Sequence, residues 1–142
     1  MSVWLAIANP YGYDLAMDKA ISEAKKGETS LHVVFFICRD SMGNIMHDLG
    51  EMGWLGAGSF RSLQNSMLEG YRCLADDVIA RVKRKAKSVD LVVEGVVEKP
   101  SLKQYVDEIL DRKAEKIIIA GSRSLNLKPD IFPDCVEYYE GD

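Results

Sequence analysis

The sequence predicts an α/β fold, a doubly wound open parallel sheet, and three observations carry that reading. Short, continuous apolar runs recur along the chain. Stretches of helical periodicity separate them. Glycine, proline and asparagine stand at the junctions. Strands alternating with helices imply parallel pairing through right-handed crossovers. Strands without polar alternation suit a sheet covered on both faces.

The first strand is Val3 to Ala8 (VWLAIA), punctuated by Asn9, Pro10 and Gly12. From Asp14 the period turns helical. Ala16, Ala20 and Ala24 recur every four residues with Met17 and Ile21 beside them, so this helix can lie close to the sheet. Gly27 is placed to end it. Leu31 to Cys38 (LHVVFFIC) is the second strand, rich in β-branched and aromatic residues. A long connection from Asp40 to Ser59 follows, with Gly43, Gly50, Gly53, Gly56 and Gly58 among Met42, Met46, Met52 and Trp54. Its glycines raise backbone entropy and its methionines adapt to many surfaces. The 40–59 loop is therefore expected to be ordered by a partner protein or a second subunit.

The longest helix runs from Phe60 to about Lys87. Leu63, Met67, Tyr71, Leu74, Val78 and Val82 form its apolar stripe, and its basic end, RVKRKAK, offsets the helix dipole. Val89 to Val97 is the third strand. Ser101 is a plausible N-cap for a helix from Leu102 to Arg112, with Leu102, Tyr105, Val106, Ile109 and Leu110 on its buried face. Lys116 to Ala120 is the fourth strand, stopped by Gly121. Cys135 to Tyr139 is a candidate short fifth strand in an acidic tail that holds Pro129 and Pro133. Neither a tandem repeat nor a second domain is visible, so residues 1–142 are read as one domain.

Composition excludes several classes. With 142 residues, 47% hydrophobic and 28% charged, the chain has material for a core and is not a disordered polymer. No apolar run approaches the roughly 18 residues that span a bilayer. The N-terminus has no basic flank, so a signal peptide is not expected. A net charge of −4 gives no bulk drive toward nucleic acid or anionic membrane. The three cysteines, Cys38, Cys73 and Cys135, are too few and too scattered for a disulfide framework. A reducing cytoplasmic location is the default reading. Cys38 and Cys73 are expected to be small buried hydrophobes.

The chain resembles the universal stress protein (UspA-like) family over about residues 1–124. The resemblance rests on LAIANPYGYDLAMDKAISEA, on the long loop and long helix after the second strand, on EGVVEKPSLKQYVDEIL, and above all on AEKIIIAGSRS with its Gly-Ser-Arg. It implies strand order 3-2-1-4. It also implies a homodimer, often paired along the final strand. ATP-binding members carry an Asp after the first strand; here Asn9 stands there, followed by Pro10. Those members also continue into a Gly-x-x-Gly phosphate loop. This chain has Gly121, Ser122, Arg123 and Ser124, then Leu125 and Asn126, with no further glycine before Gly141. The family's last helix is replaced by LNLKPDIFPD, which is too proline-rich to form one. The tail, 125–142, is divergent.

Candidate binding residues are Asn9, Gly121, Ser122, Arg123 and Ser124. In open α/β sheets the ligand crevice lies at the carboxyl ends of the strands, where strand order reverses. Backbone N–H groups after Gly121 can form an anion nest, with Ser122, Arg123 and Ser124 as further donors. The amide of Asn9 can meet a base or ribose, or can simply open a turn before Pro10. Tyr11 and Tyr13 can line the crevice or cover the sheet. His32 and His47 have no partner at metal-ligand spacing. No Gly-x-Ser-x-Gly, Walker or His-Glu-x-x-His motif occurs.

The reading favoured is a stress-protein-like domain acting as a dimeric regulatory or interaction module without catalysis, its nucleotide site degenerate and no cofactor required. An ATP- or AMP-binding protein with a divergent loop is the first alternative; the missing phosphate loop argues against it. A small nucleotide-processing enzyme is the second, and the lack of a paired acid, base and nucleophile in the sequence argues against it more strongly.

Overall fold

The computed structural model describes residues 2–38, 57–122 and 131–141. The elements in chain order are β1 (Ser2–Ile7), α1 (Asp14–Gly27), β2 (Ser30–Cys38), α2 (Ala57–Lys85), β3 (Leu91–Lys99), α3 (Leu102–Asp111), β4 (Lys116–Ser122) and β5 (Val136–Gly141). The five strands form one sheet in the order β3-β2-β1-β4-β5, with every pairing parallel. The first four strands stand in the order expected from the sequence. The fifth forms and joins outside β4, from Ile117 opposite Val136 to Ser122 opposite Gly141.

Two layers of side chains follow from the period-two alternation of the strands. On one face Val3, Leu5, Ile7, Leu31, Val33, Phe35 and Ile118 meet the alanines of α1 and the Ala75, Val78 and Val82 side of α2. On the other, Trp4, Ala6, Val34, Phe36, Ile117 and Ile119 meet Leu102, Tyr105, Val106 and Ile109 of α3. Helices before β3 cover one face and the helix after it covers the other, because right-handed crossovers change face when strand order reverses. Among the described residues no α-helix stands between β4 and β5. Phe132 fills that place, buried on the α3 face and stacked on Tyr138 at 6.4 Å between ring centroids.

α1 ends at Gly27 as expected, and Glu28 after it takes the left-handed position at φ 51°, its N–H donating to the Lys25 carbonyl. Two local details differ from the sequence reading. Ser101 occupies the N-cap of α3, yet its side chain makes no capping hydrogen bond. Cys73 is exposed on α2, because the stripe through Tyr71, Leu74 and Val78 turns position 73 outward. The 40–59 loop lies outside the described residues up to residue 56. No helix among the described residues is long and apolar enough to cross a membrane.

The edge strand β3 carries a bulge. Val33 pairs Val93 but Val34 pairs Gly95, which leaves Glu94 without an opposite number. Gly95 sits at φ 91°, a backbone state that side chains rarely adopt.

The central strands should dominate stability. Ile118, fully buried between the flanking strands, should cost about 2–5 kcal/mol when cut to Ala. The half-exposed Val93 should cost under about 1 kcal/mol in the same change. Urea denaturation of the two variants checks the contrast.

Candidate functional site

The strand order reverses between β1 and β4, so the crevice to examine lies above their carboxyl ends. Asn9 is at its base. It is buried, with 4% of its surface exposed. Its Nδ2 donates to the Gly121 carbonyl at 3.3 Å, and its Oδ1 accepts the Tyr11 N–H at 3.0 Å. The second bond is an Asx-turn, a local reason for Asn before a proline-containing turn. The backbone N–H groups of Ala8 and Asn9 both donate to the Ala120 carbonyl, at 2.8 and 3.0 Å. Asn9 thus ties the end of β1 to the end of β4.

Gly121 and Ser122 are the last residues of β4. Tyr138 of β5 lies directly on Gly121. A Cβ built there would come within 2.1 Å of the Tyr138 hydroxyl oxygen and 2.3 Å of the ring carbon that bears it. The Tyr138 hydroxyl donates to the Ser122 carbonyl at 3.1 Å. Glycine is required at position 121 because an aromatic ring occupies the space above it. Burial pushes the Tyr138 phenol up to about 12, and the nearby Glu140 carboxylate adds to the push. Gly141 comes close to the turn that follows β1. A Cβ there would come within 2.5 Å of the Gly12 carbonyl oxygen and 3.1 Å of Asn9 Nδ2.

The structure therefore brings Asn9, Gly121 and Ser122 together and sets Tyr138 of β5 against Gly121. Arg123 and Ser124 lie outside the described residues. Tyr11 is exposed in the turn and, with Tyr71, Met67 and Leu74, lines an open cavity of about 230 Å³. Tyr13 is buried, with the Arg81 guanidinium 5.3 Å over its ring and Arg81 paired to Asp14. Among the described residues no group of three or more His, Cys, Asp or Glu side chains is placed to hold a metal ion. Neither Tyr138 nor Gly141 was among the crevice candidates read from the sequence. The signal that could have found them is the alternation Val136, Tyr138, Glu140, which sets an aromatic residue in register beside the Ile119–Gly121 end of β4.

No protein-family model matches the sequence, and no curated protein matches it. Among solved structures the chain is similar to a crystal structure of a protein from the universal stress protein family from Burkholderia pseudomallei, at 18% identity and a TM-score of 0.61. That similarity covers 97% of this chain and 94% of the other. It shows a shared fold along almost the whole length of both.

Two outcomes follow from the Tyr138–Gly121 contact. Gly121→Ala should destabilise the protein by about 1–3 kcal/mol through overpacking. The penalty should largely vanish in a Tyr138→Ala background, so a double-mutant cycle in urea reads the contact. The phenol is also protonated to higher pH in the folded state than its ordinary value of 10.0. Its contribution is complete below pH 10 and declines as pH rises from there toward 12. Tyr138→Phe keeps the ring and removes the titration, so it should lose less stability than wild type between those limits.

Proposed function

We propose that this chain is a universal-stress-protein-like domain that works as a homodimeric regulatory or interaction module, with a degenerate nucleotide crevice that does no chemistry. The observation that carries the reading is the Tyr138 ring on Gly121. Phosphates bind where successive N–H groups face an open, glycine-lined turn. Here the strand end is capped by an aromatic ring, and the Asn9 amide is engaged with Gly121 and Tyr11. The fold shared with the stress-protein structure supports the placement of the crevice. A reducing cytoplasmic setting accords with Cys38, Cys73 and Cys135 all being free thiols.

A second copy is the partner proposed, with the 40–59 loop as a further protein contact and no role for nucleic acid or membrane. Phe132, an apolar residue of the tail, is spent in the protein's own core and is not available to a second copy. Among the described residues the outer edge of β5 is unpaired with any strand. Its charge is already softened, since Glu137 pairs with Lys116 at 3.2 Å and accepts from the Tyr139 hydroxyl at 3.2 Å. Fewer free carboxylates lower the repulsion across a twofold axis.

ATP and AMP at millimolar concentration should leave the melting temperature unchanged. A ligand at 100 times its Kd would add about 2.7 kcal/mol, so a clear rise would establish the nucleotide-binding alternative. Light scattering should give the mass of two chains; a single-chain mass at high concentration would remove the dimer.

A further inference from the structure

The opposite end of the sheet, remote from the crevice, gathers a second set of polar side chains. Trp4 and His32 are neighbours in the β1–β2 register, and their rings stack at 4.6 Å and 12°. Trp4 is buried and anchored by its Nε1–H, which donates to Ser2 Oγ at 3.1 Å. The Arg112 guanidinium lies 5.7 Å over the same indole. His32 Nδ1 is 2.7 Å from Glu94 Oε1, and His32 Nε2 is 3.5 Å from Ser30 Oγ.

These contacts fix the tautomer. A carboxylate can only accept, so Nδ1 carries the proton it donates to Glu94. In the neutral ring Nε2 then holds a lone pair, and the hydroxyl next to that lone pair is Ser30. Nucleophile, base and orienting acid are recognised by these roles, not by sequence position. We propose that Ser30, His32 and Glu94 form a hydrolytic triad acting on small activated carboxylic esters. Ser30 and His32 are the catalytic residues and Glu94 is a positioning residue.

The β3 bulge is an independent support. Bulges re-aim side chains and are over-represented beside active sites. This one leaves Glu94 as the unpaired residue, and Gly95 at φ 91° permits the turn. The imidazole is thereby held on two sides, by the Trp4 stack and by Glu94. The site is also reachable. The side chains of His32 and Glu94 keep 20% and 28% of their surface exposed, and Ser30 is half-buried at the start of β2. The 3.5 Å separation of Ser30 and His32 is long, as such bonds often are before substrate tightens them.

In the first step Ser30 Oγ bonds to the ester carbonyl carbon while its proton passes to His32 Nε2. The carbonyl carbon's bond to the leaving oxygen breaks, and that oxygen takes the proton from His32 as the alcohol departs. Water, deprotonated by His32, then attacks the acyl-serine, releasing the carboxylic acid and restoring the Ser30 hydroxyl.

This inference goes beyond the proposed module and uses none of the crevice residues, so either can fail alone. The test is turnover of p-nitrophenyl acetate together with labelling by a fluorophosphonate. Wild type should release more than one equivalent of nitrophenol and take one phosphonate adduct, mapped by mass spectrometry to Ser30. Ser30→Ala and His32→Ala, checked for folding by circular dichroism, should each lower the rate by about 100-fold. Glu94→Gln, on an exposed edge strand, should lower kcat with KM unchanged, and Glu94→Asp should regain part of the loss. A burst that stops at one equivalent, an adduct on any other residue, or an unchanged rate in Ser30→Ala or His32→Ala would each overturn the triad.

Discussion

The contact on which the upper half of this molecule depends is the Tyr138 ring lying on Gly121. It requires two things at once: β5 in parallel register beside β4, and no side chain at position 121. Once both hold, the hydroxyl reaches the Ser122 carbonyl and the ring stacks with Phe132. Phe132 in turn closes the part of the α3 face next to β5. An interior is close-packed, so a ring and a ligand cannot share that space. The packing that completes the fold is therefore the same packing that covers Gly121.

The sheet has two ends with different chemistry. At the carboxyl end the polar groups point at one another: Asn9 to Gly121 and Tyr11, and Tyr138 to Ser122. Buried polar groups satisfied in this way rigidify a site. At the amino end the polar groups of Ser30, His32 and Glu94 keep partial access to solvent. That end is the one where the chain retains an arrangement able to move a proton.

Much of the fold was legible because burial on both faces leaves a strong mark. VWLAIA, LHVVFFIC and KIIIA announce central strands, and the alanine spacing of α1 announces close approach to the sheet. The fifth strand was less legible because VEYYEG mixes acids with aromatics, and only its register explains why tyrosine stands at 138. Asn9, Gly121 and Ser122 were found as neighbours because topology alone places strand ends together. Tyr138 was missed because its role arises from a contact across 17 positions of sequence, counted from Gly121 to Tyr138. The His32–Glu94 pair was missed for the same reason at greater range, 62 residues apart. Gly95 inside an apolar strand was the one local sign of the bulge that brings Glu94 to His32.

The most direct test of this account is the position of the Tyr138 ring in solution. A nuclear Overhauser spectrum of the protein, labelled for assignment of Gly121 and Tyr138, reads the distance between the ring protons and the Gly121 Hα protons. The account predicts strong cross-peaks and ring-current shifts at Gly121 that are unchanged by millimolar ATP or AMP. Absent cross-peaks, or cross-peaks that disappear as nucleotide is added, would mean that the crevice is open to ligand and would contradict it.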